Sequence, residues 1–234
     1  MSAEDEKTIA FILYPGLTPL DLIGPLQPLS GLRRLVPQWK TVVVGERIEP
    51  MGTDAGLSMT PEASFEDVPN PNIFVVPGGG APTIKQMGND VLLEYVRRAA
   101  EGAEIVASVC TGSLILASAG LLDGRNATTH WAYHTLLERL GVTYLPERWV
   151  EDGKFVMSAG VSAGIDMALH LIARLTGEKI SRLVQLGIEY DPHPPYGGID
   201  WSTVDRDMLY PLVSSYVDQE LVDRPELQNR LLNR

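Results

Sequence analysis

The sequence predicts an α/β protein whose mainly parallel sheet is covered by helices on both faces. Two observations lead to this fold class. Short, continuous apolar runs, typical of strands buried on both sides, recur along the chain, and segments of helical periodicity separate them. The predicted strands are residues 8–14, 41–44, 73–76 and 105–109.

The predicted helices occupy the intervals between and after these strands. They are residues 25–36, 91–100, 113–122, 130–140, 161–175 and 180–190, followed by a mainly helical tail from about residue 203 that prolines 211 and 225 interrupt. Thr129 is the expected cap of the helix at 130–140, and Gly141 its end. Asp152-Gly153, between two apolar segments, predicts a β-hairpin. We expect all 234 residues to form a single domain.

Composition argues against several classes of partner. The chain has 30 acidic and 19 basic residues and a formal net charge of -11, with no cluster of Lys and Arg, so we expect no nucleic acid and no membrane as partner. The charge-free stretch 105–122 changes from strand-like to helix-like, which favours a buried strand and helix over a membrane span. The single cysteine cannot form an internal disulfide, and the acidic residues 1–7 do not resemble a signal peptide. We therefore expect a cytoplasmic protein.

Cys110 is the candidate nucleophile. It lies between a predicted strand and a predicted helix, and Gly112 allows the backbone to turn closely there. The end of the helix provides unpaired N–H groups and a positive dipole, which predicts that the thiolate is favoured. Free cysteines are often simply small buried apolar residues. The position at a strand-to-helix junction favours the nucleophile.

Two further loops are expected at the same edge of the sheet, because the carboxyl ends of parallel strands lie together. Asp21 follows the first predicted strand, and three consecutive glycines from Gly78 follow the third. Gly78 and Gly79 would let a ligand approach the backbone and would provide N–H donors to it. A dinucleotide-binding fingerprint is not supported, since Thr83 occupies the position of its third glycine.

Four motifs, in this order along the chain, resemble those of the PfpI-type superfamily, which is related to class I glutamine amidotransferases. They are Leu20-Asp21-Leu22-Ile23-Gly24-Pro25, Pro77-Gly78-Gly79, Ser108-Val109-Cys110-Thr111-Gly112-Ser113 and Ala127-Thr128-Thr129-His130-Trp131. The similarity extends to about residue 196 and is greatest to the isonitrile hydratases. It implies a flavodoxin-like three-layer sandwich that hydrates small-molecule isonitriles to N-substituted formamides, without a cofactor and as a homodimer.

The resemblance also implies roles for individual residues. Asp21 would lie beside Cys110 and carry a proton, which its apolar neighbours in the sequence make reasonable because burial raises the pKa of a carboxyl. The hydroxyl and N–H of Thr111 would face the reacting centre. The alternatives are that Asp21 caps a turn before Gly24 and that Thr111 is an ordinary polar residue of a first helical turn.

Less specific signals concern the pocket and metals. Leu17, Ile23 and Trp131 are expected to line an apolar pocket, with His130 behind the reacting groups. His130 and His134 have the spacing of zincin ligands, but Trp131 stands where a zincin has Glu and no third ligand is evident. We therefore expect no metal. Small residues 158–160 fit either a hinge or close packing, and packing is favoured.

Alternative functions remain open within the superfamily. Glyoxalases and deglycases carry Glu where Asp21 falls, and a redox or stress protein would use an oxidation-prone thiol. Ligand-sensing domains of AraC-type regulators share the Thr-Thr-His-Trp stretch but continue into a DNA-binding domain. An amidotransferase would need a late His-x-Glu, whereas His193 is followed by two prolines.

Overall fold

The computed structural model describes residues 6–234. The strands are β1 (Lys7–Ile12), β2 (Trp39–Gly45), β3 (Met51–Gly52), β4 (Ser58–Met59), β5 (Ala63–Ser64), β6 (Ile73–Val76), β7 (Ile105–Val109), β8 (Asn126–Ala127), β9 (Thr143–Tyr144), β10 (Trp149–Asp152) and β11 (Phe155–Ser158). The helices are α1 (Pro19–Leu35), α2 (Ala81–Gln86), α3 (Asp90–Gly102), α4 (Gly112–Ser118), α5 (His134–Arg139), α6 (Ala163–Thr176), α7 (Glu178–Gly187), α8 (Tyr210–Glu220) and α9 (Pro225–Leu232). The expectation drawn from the acidic start of the chain falls mostly on residues 1–5, outside the described part.

The central sheet has the strand order β10-β11-β7-β6-β1-β2-β5. Its neighbouring strands are parallel except for the β10–β11 hairpin. One helical layer contains α1, α6 and α7, and another is built around α4 with α2, α3 and α5. Strands β6 and β7 are buried along their whole length, as apolar strands covered on both faces must be. The predicted fold class is confirmed.

Helix α1 differs most from its prediction. It begins at Pro19, well before Pro25, and carries both Pro25 and Pro28 in its interior. Proline lacks the N–H for the helical hydrogen bond, so each normally ends or bends a helix. Here the burial of Leu22 and Leu29 against the core holds the helix together through both prolines. Asp21 consequently lies in the first turn of α1.

The predictions around α4 and α5 need correction. Helix α4 is shorter than predicted, because the chain adopts a left-handed turn at Gly120 (φ +77°). The predicted helix at 130–140 divides into a 3₁₀ turn at Trp131–Tyr133 and α5. Its cap is His130, whose ring accepts from the Ala132 N–H at 3.3 Å, and not Thr129. Gly141 ends this segment at φ +83°, as predicted.

The hairpin is confirmed and the tail is partly corrected. Strands β10 and β11 pair antiparallel around Gly153, at φ +65°. The first tail helix starts at Tyr210, not near residue 203, and Pro211 and Pro225 lie in the first turns of α8 and α9. A first turn does not need the missing N–H, so these prolines begin helices instead of interrupting them. Among residues 6–234, no helix is both long and apolar enough to cross a bilayer.

A close contact between β6 and α4 makes Gly112 sensitive to substitution. A Cβ at Gly112 would lie 2.0 Å from the carbonyl oxygen of Val76, whereas a Cβ at Gly102 would meet nothing within 4 Å. We expect Gly112→Ala to lower the free energy of unfolding by about 3 kcal/mol, because backbone must move to relieve the overlap. Gly102→Ala, at the end of α3, should be neutral or slightly stabilising. Urea denaturation measures both, and similar midpoints for the two variants would contradict this packing.

Candidate active site

Cys110 lies on a strained turn between β7 and α4. Its φ of +58° is in the left-handed region, which a residue with a side chain adopts only when its surroundings impose it. The Cys110 N–H donates to the carbonyls of Ser158 (3.2 Å) and Ala159 (3.1 Å). The Cys110 carbonyl accepts from the hydroxyls of Thr129 (3.1 Å) and Ser113 (3.3 Å). The backbone of the candidate nucleophile is therefore held on both sides.

The glycine loop after β6 packs directly against this turn. A Cβ at Gly78 would lie 2.5 Å from the backbone nitrogen of Thr111, so a larger residue would separate the two loops. The Thr111 hydroxyl donates to the Gly79 carbonyl (2.7 Å) and accepts from the Gly79 N–H (2.9 Å). The Thr111 hydroxyl and the Gly79 N–H are thus bonded to each other, and these hydrogen bonds hold the two loops together.

Asp21 is completely buried at the same edge. Its Oδ2 accepts from the Gly78 N–H at 3.1 Å, while Oδ1 has no hydrogen-bond partner among the described residues. Burial raises the pKa of this carboxyl from 3.8 to about 7, and the Cys110 thiol and the Gly78 N–H oppose the rise. Asp21 therefore exchanges its proton near neutral pH, and Oδ1 is free to carry it.

The Cys110 thiol contacts this carboxyl and is itself buried, with 4% of its surface exposed. Burial raises the pKa of the thiol well above its ordinary value, and the charge of Asp21 raises it further. The N–H groups of Val161 and Thr111 lower it, but by less. The prediction of a resting thiolate is therefore wrong, because desolvation outweighs the helix end and its N–H donors.

Sequence reasoning missed Val161, which follows β11 and lies near the sulfur. The Val161 N–H lies near enough to the Cys110 thiol to lower its pKa, and Val161 has an unusual φ of +30°. The only sequence signal was the run of small residues 158–160 before it. A Cβ at Gly160 would lie 2.7 Å from Cδ2 of His130, which supports close packing as the reason for the glycine.

A cavity of about 480 Å³ lies beside this turn. Its lining residues are Thr129, His130, Trp131, Tyr144, Pro146, Glu147, Arg148, Ala159, Gly160, Val161, Ser162, Ile199, Trp201 and Arg206. Trp131 and His130 both line it, and burial lowers the pKa of His130. Leu17 is fully buried and Ile23 is 40% exposed on α1, and neither lines this cavity.

The two histidines of the zincin-like spacing serve local structure. Nδ1 of His130 accepts from the Ala132 N–H, and Nδ1 of His134 lies 3.0 Å from the Trp131 carbonyl oxygen. Within residues 6–234, no three His, Cys, Asp or Glu side chains come together in a way that could hold a metal ion.

Comparison with known proteins places this site in a family. The model of the DJ-1/PfpI family matches residues 7–174. The chain belongs to the DJ-1/PfpI family. A crystal structure of a THiJ/PfpI family protein from Pseudomonas syringae matches with a TM-score of 0.83 and 30% identity, covering 98% of this chain and 91% of that one. This similarity confirms the flavodoxin-like architecture.

Two relatives of this DJ-1/PfpI protein differ in function, one being an enzyme and the other a transcriptional regulator. The isonitrile hydratase of Pseudomonas putida is 43% identical over 188 residues, which are 80% of this chain and 80% of that protein. The HTH-type transcriptional regulator CdhR of Pseudomonas aeruginosa is 29% identical over 176 residues, 73% of this chain but 51% of the regulator.

The buried carboxyl predicts a pH-dependent stability. Folding raises the pKa of Asp21 from 3.8 to about 7. The stability that this shift contributes is fully present below pH 3.8 and is lost as the pH rises through 7. Asn cannot ionise, so Asp21→Asn should gain roughly 3 kcal/mol relative to wild type between pH 4 and pH 8. Urea denaturation across this range measures the difference.

A matched control is available at the surface. The pKa of exposed Asp67 is lowered by its hydrogen bonds to Ser64, so Asp67→Asn should lose stability relative to wild type as the pH rises. Parallel profiles for wild type and Asp21→Asn would show that the Asp21 carboxyl does not change its proton affinity on folding.

Proposed function

We propose that this protein hydrates organic isonitriles to N-substituted formamides, with Cys110 as nucleophile and Asp21 as proton carrier. The observation that carries the proposal is the contact between a buried carboxyl of raised pKa and a buried thiol on a strained turn. The isonitrile hydratase of Pseudomonas putida, 43% identical over 80% of this chain, supports the choice of substrate.

The reaction starts from the state in which the pair shares one proton. Asp21 takes the thiol proton while the sulfur of Cys110 bonds to the terminal carbon of R–N≡C. The same carboxyl then transfers that proton to the carbon, which gives the thioimidate R–N=CH–S–Cys110. The carboxyl returns to its ionised form, and no proton is exchanged with solvent in this half of the reaction.

Water completes the second half. Asp21, now ionised, removes a proton from a water molecule that attacks the thioimidate carbon and transfers this proton to the nitrogen. The tetrahedral adduct R–NH–CH(OH)–S–Cys110 then breaks its C–S bond while the carboxyl carries the adduct's hydroxyl proton to the sulfur, which releases R–NH–CHO and restores the thiol. One water molecule is consumed for each isonitrile. The hydration transfers no electrons to or from the substrate, so it requires no redox cofactor.

The backbone N–H groups that we propose act on the reacting atoms differ from those expected from the sequence. The N–H groups of Val161 and Thr111 stabilise negative charge on the sulfur as its proton leaves. The Gly78 N–H is already given to Asp21 and the Gly79 N–H to the Thr111 hydroxyl, so both glycines orient reacting groups instead of binding substrate.

We further propose a single-domain, cytoplasmic homodimer. The tail helices bury Val213, Val217 and Leu231 in the same core as the sheet, which supports one domain. A nucleophilic thiol must stay reduced, as it does in the cytosol. Leu20 and Ile23, 44% and 40% exposed on the helix that carries Asp21, provide an apolar surface for a second copy.

The nucleophile and the proton carrier are tested by substitution. Cys110→Ala should abolish formation of cyclohexylformamide from cyclohexyl isonitrile, and Asp21→Asn should reduce kcat/KM by roughly 100-fold or more because general acid–base catalysis is lost. Asp123→Asn, the same change at an exposed position, should be neutral. Mass spectrometry of the intact wild-type protein during turnover should show an adduct of the mass of the substrate. Full activity in either site variant would refute the mechanism.

The proposal also predicts a pH profile. When both groups hold their protons, Asp21 cannot accept the thiol proton, so the doubly protonated pair is inactive. Because the pKa of Asp21 is raised to about 7, kcat/KM should rise with pH through an apparent pKa near 7 that belongs to the pair. The residual activity of Asp21→Asn should not show this step. A profile that falls between pH 6 and pH 8 would contradict the assignment of the proton.

A further inference from the structure

The cavity beside Cys110 has an outer wall that comes from a segment beyond the family match. The DJ-1/PfpI model ends at residue 174, whereas Ile199, Trp201 and Arg206 line the cavity from the non-helical segment between α7 and α8. The inner wall belongs to the family domain. The inner wall of this cavity therefore comes from the part of the chain that the family model matches, and the outer wall comes from a segment outside that match.

The inner wall is continuous with the nucleophile. Thr129 and Ala159 line the cavity and hydrogen-bond to the backbone of Cys110, each at 3.1 Å. Val161 lines it as well, and its N–H lowers the pKa of the Cys110 thiol. The cavity therefore offers space for the nitrogen substituent of an R–N≡C group whose carbon reaches this sulfur.

The outer wall is aromatic and apolar. Ile199 and Trp201 provide its apolar side chains, and Trp131 and Tyr144 line the same cavity from the family domain. Ile199 is 64% exposed and Trp201 43% exposed, so these large apolar side chains are not explained by core packing. A cavity of about 480 Å³ falls within the range of sites that enclose small organic ligands.

Arg206 ties this wall to the rest of the molecule. Its guanidinium lies 5.6 Å from the ring of Trp201 and 5.9 Å from the ring of Tyr144, and it donates to the Tyr144 hydroxyl at 2.9 Å. Cation–π contacts on two rings fix the guanidinium in place. Through it, the tail segment that carries Trp201 is anchored on β9.

We propose that Trp201 determines substrate specificity, by selecting isonitriles whose nitrogen substituent is a bulky apolar ring, and that Arg206 is a positioning residue for it. This inference rests on the proposed function, and it adds the substrate class to it. A ring stacks on the Trp201 and Trp131 faces and excludes water from the cavity. A methyl substituent reaches neither tryptophan and gains nothing from the wall.

The test compares two substrates in matched variants. In Trp201→Ala, kcat/KM for benzyl isonitrile should fall about tenfold or more, while kcat/KM for methyl isonitrile stays within about twofold of wild type. Trp149→Ala is the control, since Trp149 is also a partly exposed tryptophan but packs on His170 outside the cavity. It should leave the ratio of the two substrates unchanged.

Arg206 requires a readout that a purely structural role would not move. Arg206→Ala should raise KM for benzyl isonitrile while kcat for methyl isonitrile is preserved, and Arg206→Lys should recover little because an ammonium does not stack on both rings.

Equal losses on both substrates in Trp201→Ala, or no loss on either, would overturn the inference.

A binding experiment separates this inference from the proposed function. If the wild-type protein converts neither isonitrile, the proposed function fails, and calorimetry with N-benzylformamide then tests the cavity alone. Wild type and Trp149→Ala should bind this probe about tenfold more tightly than Trp201→Ala. Equal affinity in all three proteins, or binding to none, would refute the role of Trp201.

Discussion

A buried carboxyl and a buried thiol meet at the open edge of the sheet, and each alters the proton affinity of the other. Desolvation disfavours the charged form of both groups, and the negative charge of Asp21 makes ionisation of Cys110 harder. The pair consequently keeps its protons to a higher pH than either group would in water. Near neutral pH the pair holds a single proton, which is the state that the proposed addition to an isonitrile carbon requires.

The scaffold brings this pair together through close backbone packing. Parallel strands deliver Asp21, the glycine loop and Cys110 to one edge, but only because Gly78 and Gly112 have no side chain there. The left-handed turn at Cys110 is unfavourable by itself, and hydrogen bonds from two neighbouring segments maintain it. Rigidity is therefore built into the backbone around the sulfur, while the side chains of the pair stay free to exchange a proton.

Sequence patterns predicted the elements that depend on local chemistry. The bounds of β6 and β7 agree with the predicted strands, because a short apolar run between polar loops has one suitable structure. The start of α1 was missed, since burial of its leucines overrides the local effect of two prolines. Asp21, Cys110 and the glycine loop were found through motif order and the rule for parallel sheets. The raised pKa of the thiol, the Val161 N–H and the tail residues of the cavity were not, because each depends on segments far apart in sequence.

There is a physical reason to separate the buried Asp21–Cys110 pair from the exposed wall that we propose binds the substituent. Groups that move a proton need a fixed distance and little water, so they lie on elements packed from every side. Recognition of a variable substituent needs apolar surface that can differ between relatives without disturbing that packing. A segment on the surface, anchored by the contacts of Arg206 with Tyr144 and Trp201, meets this need. Such a segment can change its side chains and leave the Asp21–Cys110 contact intact, so one chemical centre can serve different substituents.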